Sequence, residues 1–292
     1  PLNLGGRKNP TPGAPIFLTD RREKALERMM AEVDSAAPPL APAAESGFSA
    51  RLPQPYRKSG LPVELHVSRS PSKAAGHQVM GMWLSETAVA NIGKSAASHL
   101  WIWLPPVVWP DDESRVADLL RQALENGVRR FVLNAPWQMA LFNRPEGLTL
   151  WAGPFCNAAN ALSLETLQSL GFSGAFVSPE LGETDILTLC RQSPLPLGVV
   201  IAGHWPLCIS RTLADGMPLK VPFESPRGEQ AWVAQHGPDY WIFPNWRLDI
   251  TEKRALLQQA GIQMFAILEE PVPPTVTLKN RPGLWNWKIG LQ

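Results

Sequence analysis

The side chains in this sequence with chemistry to offer recur at one kind of place, just after short apolar runs. Gly174-Ala-Phe-Val-Ser-Pro-Glu180 ends in Ser178 and Glu180, and Pro196-Leu-Gly-Val-Val-Ile-Ala-Gly203 is followed by His204-Trp-Pro-Leu-Cys-Ile-Ser-Arg211. A carboxylate beside an imidazole fixes its tautomer and shares in proton transfer, so Glu180 and His204 are the candidate acid/base pair. The plainer alternative for Glu180 is a cap on the following segment, or an ion pair with Arg191 or Arg211 in a solvated rim. Ser178, Ser210 and Cys208 become nucleophiles only with a base in reach. His204 and Cys208 stand four apart, but Trp205 and Pro206 between them favour a turn over a helix.

Further candidates follow other apolar runs. Asn134, Asn157 and Asn245 occupy places where an amide bonds a ligand or, more simply, ties two loops together. With Trp137, Ser178, Ser210 and Arg211 they make up the expected substrate-binding set. Cys156, His204 and Cys208 are conceivable as three metal ligands, but no pair has close Cys-x-x-Cys spacing, and Cys190 in Leu187-Thr-Leu-Cys190 reads as core. No metal ligand set is assigned. The tryptophans fall in or just after the apolar runs. They read mainly as large core and rim fillers, some of them able to line a pocket.

These residues need elements to hold them. Two short β-rich runs with a helix-length piece between them, as at 174–178 and 197–202, form the pattern of parallel strands joined by a crossover helix. The loops after the strand ends then open on one face, where sites are built. Further strands are expected at Val79 to Leu84, His99 to Leu104, Arg130 to Asn134, Leu148 to Gly153, Tyr240 to Phe243 and Met264 to Leu268. The best helix runs from Asp111 to Asn126, with acids in its first turn and Gly127 as its stop. About eight strand–helix units over about 200 residues predict an α/β fold, a (β/α)8 TIM-barrel-like domain. An open doubly wound sheet is the runner-up, disfavoured by the lack of a glycine-rich phosphate loop after the first strand.

The barrel is expected over residues 76–292. Residues 1–75 read as a small α+β extension with a Pro/Ala-rich linker. Its parts are a strand at Ala14 to Thr19, a helix capped by Asp20 and a strand at Leu61 to Ser68. A polar excursion is expected from Asp215 to Gly237. A net charge of +1 excludes a global field for nucleic acid or membrane, so such binding would need a local patch. No apolar run approaches the roughly 20 residues that span a bilayer. Three widely spaced cysteines do not make a disulfide framework, and a cytoplasmic setting fits them better. The chain begins with Pro1 in a Gly- and Pro-rich leader, and so reads as a piece of a longer protein.

Gly203-His-Trp-Pro-Leu-Cys-Ile-Ser210 resembles the Gly-His-x-Pro-Leu-x-x-Ser stretch of the collagenase-like peptidase family U-32. Asn157-Ala-Ala-Asn-Ala-Leu-Ser, followed by Leu170-Gly-Phe-Ser-Gly-Ala-Phe-Val-Ser-Pro-Glu-Leu181, is similar to that family's Asn-x-x-Ala-x-x-x-Leu…Gly…Val-x-Ser-x-Glu-Leu pattern. Phe17-Leu-Thr-Asp-Arg-Arg22 looks like the middle of its longer members, which makes this chain the C-terminal part of one. The resemblance implies a TIM-barrel-like fold and a peptidase label. It also implies a second reading, because several members act in hydroxylation of RNA bases or quinone precursors and hold an iron–sulfur cluster on four cysteines. Only three cysteines occur here and Cys208 precedes the Ser of the stretch, so no cofactor is expected in this chain by itself. The two readings are a peptidase with its pocket around Glu180, His204 and Asn134, and a non-catalytic half presenting RNA or a partner to a missing N-terminal half.

Overall fold

The computed structural model describes residues 54–56, 60–70, 79–93, 97–214, 216–224 and 228–279. The strand and helix expected before Val33 lie outside the described residues, as does most of the linker after them.

Seven strands come first: β1 (Val63–Ser68), β2 (Val79–Trp83), β3 (Trp101–Trp103), β4 (Arg130–Leu133), β5 (Thr149–Ala152), β6 (Gly174–Phe176) and β7 (Leu197–Gly203). An insertion follows, carrying β8 (Cys208–Ser210), β9 (Phe223–Glu224), β10 (Gln230–His236), β11 (Asp239–Pro244) and β12 (Leu248–Asp249), before β13 (Met264–Leu268). Strands β1 to β7 pair in order and in parallel, β7 pairs with β13, and β13 pairs with β1, closing an eight-stranded parallel barrel. The fold is thus a (β/α)8 barrel. Its helices are α1 (Glu86–Ala90), α2 (Glu113–Glu125), α3 (Ala161–Ser169), α4 (Glu183–Gln192) and α5 (Arg254–Ala260), with a 3-10 turn (Pro136–Leu141) after β4.

Two assignments change. Val63–Ser68, expected in the N-terminal extension, is the first barrel strand, so the barrel begins before residue 76. Its alternation places Leu65 and Val67 in the barrel and Glu64 and His66 outside. Tyr240 to Phe243 leaves the barrel in exchange. It lies in β11, which pairs antiparallel with β10 and β8 in a separate four-stranded sheet. The expected polar excursion is partly this sheet as well, since β10 buries Trp232 and Val233 completely.

Strand alternation sorts the core into two layers. Ile102, Phe131, Leu133, Leu150, Ala175, Leu197 and Phe265 point outward under the helices. Trp101, Trp103, Val132, Trp151, Phe176, Val200 and Met264 point into the barrel. The inner layer is aromatic, with Trp101 against Trp151 at 5.9 Å and Trp103 against Phe176 at 5.3 Å between ring centroids. Such pairs add about 0.5–1.5 kcal/mol beyond their area. Glycines opposite make the room: a Cβ on Gly174 would stand 2.1 Å from the Trp151 ring, and one on Gly198 2.7 Å from Phe176.

The small sheet closes the C-terminal mouth of this barrel. Trp232, Trp241 and Phe243 join the inner cluster from above, Trp241 meeting Trp83 at 5.2 Å. Trp205 stacks on Phe155 at 4.4 Å. The interior is a filled core rather than a pocket.

Candidate functional site

With the axis filled, a site at the strand C-terminal face has to lie to one side of the mouth. A cleft of about 370 Å³ runs over the C-terminal ends of β1, β2 and β3, between the start of α2 and the tight turn joining β10 to β11. That turn is His236-Gly-Pro-Asp239, where the antiparallel register ends on the pair His236 and Asp239 and Gly237 takes φ +60°.

Arg69, immediately beyond β1, is the deepest charge in the cleft. Its guanidinium sits in the corner made by two edge-to-face indoles, 4.5 Å from the centroid of Trp83 and 4.3 Å from that of Trp241. Cation–π contacts of this desolvated kind contribute about 2 kcal/mol each. Its Nε donates to Glu270 Oε2 at 3.0 Å. Burial pulls the Arg69 pKa down from its ordinary value, and Glu270 opposes that pull.

Glu270 follows β13, its side chain 5% exposed, and joins Arg69 to His236. His236 Nε2 approaches Glu270 Oε1 to 2.5 Å. Burial, the largest influence on Glu270, pushes its carboxyl up. His236 and Arg69 together outweigh it and hold the group below the ordinary carboxylate range. The result is a carboxylate kept ionised in a buried place, with an imidazole on one side and a guanidinium on the other.

The outer cleft carries its own pairs. Trp109 Nε1 donates to Asp239 Oδ1 at 2.8 Å, and Arg211 Nη1 donates to Asp112 Oδ2 at 2.9 Å. Arg115 Nε stands 3.7 Å from the other oxygen of Asp112, and its side chain is 42% exposed.

None of the expected catalytic or substrate-binding residues lines this cleft; Arg211 comes nearest, through Asp112. Of the tryptophans, some read as able to line a pocket, Trp83 and Trp241 do line it. Glu180 and His204 do not form a pair. Glu180 is exposed after β6, whereas His204 is buried with neither ring nitrogen hydrogen-bonded. The reason is local: Gly203 takes φ +122° and lies against Leu268, and this turns His204 inward, its backbone N–H donating to Leu268 O at 2.9 Å. Burial, then the nearby charge of Arg247, lowers the His204 pKa to about 4, against a smaller opposing pull from Glu270.

Several of the amides and hydroxyls tie loops. Ser178 Oγ donates to Asn157 Oδ1 at 3.3 Å, and the Glu180 N–H donates to Ser178 Oγ at 3.3 Å, joining the loops after β5 and β6. Asn134 Nδ2 donates to Leu104 O at 2.7 Å, and the Asn134 N–H donates to the buried Gln138 Oε1 at 2.9 Å. Asn245 Nδ2 donates to Gln230 Oε1 at 3.2 Å, and Ser210 Oγ donates to Thr212 O at 2.6 Å. Trp137 is 44% exposed on the 3-10 turn after β4. Cys156 Sγ donates to Leu133 O at 3.2 Å while Cys208 is exposed, and among the described residues no group of His, Cys, Asp and Glu is placed to hold a metal ion.

Arg69, Glu270 and His236 were missed, though a signal existed. Polar residues just after strand ends point to sites, and Arg69 and Glu270 follow the first and last barrel strands. Placing β1 outside the barrel hid the first of them. His236 belongs to a Gly-Pro hairpin turn read as part of a polar excursion.

No protein-family model matches the chain, and no curated protein matches it. Among solved structures, it is similar to a U32 peptidase, with a TM-score of 0.47 and 12% identity over 75% of this chain and 97% of that one. It is also similar to the spore cortex-lytic enzyme SleL of Bacillus cereus, with a TM-score of 0.37 and 10% identity over 77% of this chain and 76% of that one. SleL of Bacillus megaterium gives a TM-score of 0.37 and 11% identity over the same shares, 77% and 76%.

Proposed function

We propose that the chain is the barrel domain of a U-32-type peptidase that binds its peptide in the cleft beside the barrel mouth, with Glu270 and His236 as the acid/base pair. The observation that carries this reading is the Glu270–His236 contact at the strand C-terminal face, with His236 on the wall of the cleft. The likeness of residues 157–212 to the U-32 pattern supports the choice of substrate class.

Glu270 holds the His236 ring by its Nε2 side, which leaves Nδ1 to take a proton from a water molecule in the cleft. The water oxygen attacks the peptide carbonyl carbon. The carbon–nitrogen bond then breaks as the proton on His236 passes to the leaving amine. One water is consumed, and the imidazole returns to its starting state. Arg69 acts behind this pair, holding Glu270 ionised and in place.

The test is cleavage of a defined mixture of short peptides, followed by mass spectrometry of the products. Wild-type protein is expected to release new amino termini. His236→Asn is expected to be about 100-fold slower or worse, the low end of what a general base contributes. Glu180→Gln is expected to cleave at the wild-type rate. No cleavage by the wild type, or equal rates for wild type and His236→Asn, overturns the assignment. Salt-dependent retention of RNA without any turnover would turn the reading toward a presenting half.

A further inference from the structure

Arg69 has more to offer than its pair with Glu270. A guanidinium carries five N–H donors in one plane. The Trp83 and Trp241 rings, set at 76° to each other, form a corner around the guanidinium, and Glu270 takes the Nε position. Glu270 is its sole hydrogen-bond partner among the described residues, and Nη2 is buried without one. The edge formed by the two Nη atoms therefore remains to be satisfied, and Arg69 lines the cleft.

A second guanidinium stands at the rim. Arg115 Nη2 lies 3.8 Å from where a Cβ on Gly237 would be, so Arg115 leans over the hairpin turn. The acids of the cleft wall are already engaged, Asp112 by Arg211 and Asp239 by Trp109. Among the described residues no acceptor is placed on the Nη atoms of Arg69.

We propose that the cleft binds a carboxylate, the free C-terminus of a short peptide, through the Nη edge of Arg69, with Arg115 closing over it from the rim. The ligand class rests on the peptidase reading above. A planar carboxylate matches a guanidinium edge that two indoles and Glu270 hold in place. A phosphate dianion matches less well, because Asp112 and Asp239 stand in the same wall and repel a second negative charge. A volume of about 370 Å³ is at the small end of ligand pockets, which suits the end of a short peptide rather than a long chain passing through.

The test is calorimetric titration of the full chain with D-trialanine and with its C-terminal amide, neither expected to be cleaved. The acid is expected to bind about tenfold or more tightly than the amide, the range of one charge-assisted hydrogen bond. Arg115→Ala, an exposed position, is expected to fold and to lose several-fold in affinity for the acid but little for the amide. Inorganic phosphate is expected to compete poorly. Equal affinity for acid and amide, no binding of either at millimolar concentration, or phosphate binding more tightly than the acid each overturns the inference. Discrimination without cleavage of any natural peptide leaves the carboxylate site standing and removes the peptidase reading. Cleavage with equal affinity for acid and amide does the reverse.

Discussion

His204 makes stability depend on pH in a way that can be isolated. The ring is 7% exposed, packs 6.4 Å from Trp232, and has no hydrogen-bond partner on either nitrogen. Arg247 is the cation that repels its protonated form, and Glu270 is the anion that partly offsets this. Its pKa of about 4 lies below the ordinary 6.5, so as the pH falls the unfolded chain takes up the proton first. Stability is therefore intact above about pH 6.5, falls between there and about pH 4, and then levels. The shift corresponds to roughly 3 kcal/mol in all, of which about 2 kcal/mol appears between pH 7 and pH 5. Glu64 and Glu270, both held below the ordinary carboxylate value of 4.5, lose their contributions only at lower pH, and comparison with a His204 variant separates this group from the other histidines. The experiment is urea unfolding followed by tryptophan fluorescence, on wild type and His204→Leu, across that range. The variant leaves no partner unsatisfied and carries no proton, so its stability is expected to be flatter than that of wild type by about 2 kcal/mol. Parallel losses in the two proteins would refute the argument.

Three other perturbations test the architecture. Glu270→Gln leaves Arg69 buried without a counter-charge, at a cost of about 3–5 kcal/mol in urea unfolding, and adding Arg69→Met is expected to restore much of it. Gly203→Ala places a methyl group 2.1 Å from Leu268 O at φ +122°, and is expected to abolish soluble folded protein or lower stability by more than about 3 kcal/mol, read by circular dichroism melting. Thiol labelling under native conditions is expected to modify the exposed Cys208 well before Cys156, whose pKa burial pushes up to about 12; equal labelling times by peptide mass mapping would contradict the burial of Cys156.

The barrel was legible because its signals are local. β7 is buried along its whole length and reads as a continuous apolar run, while α2 shows helical spacing from Val116 to Ala123 and ends at Gly127. Those periods follow from backbone geometry alone, as does the placing of polar residues after strand ends. The tryptophans were likewise legible as fillers, since rings of that size in strands need a core to enter. The boundary was not legible. Val63–Ser68 and Tyr240 to Phe243 carry similar alternation, and alternation does not say which partner strand supplies the hydrogen bonds.

By itself, the sequence determined the class of fold, the parallel order of most strands, and the rule that polar groups collect beyond their C-terminal ends. Only the tertiary structure decided which of those groups meet. Arg69, His236 and Glu270 lie on three elements far apart in the chain, and their contact depends on barrel closure between β13 and β1 and on the hairpin folding back over the mouth. His204 and Glu180 follow neighbouring strands, yet one left-handed glycine turns the imidazole into the core while the carboxylate stays in solvent. Residue types and spacings set what each position can do. Which side chains share a cleft depends on closure and backbone direction, and these are properties of the assembled chain.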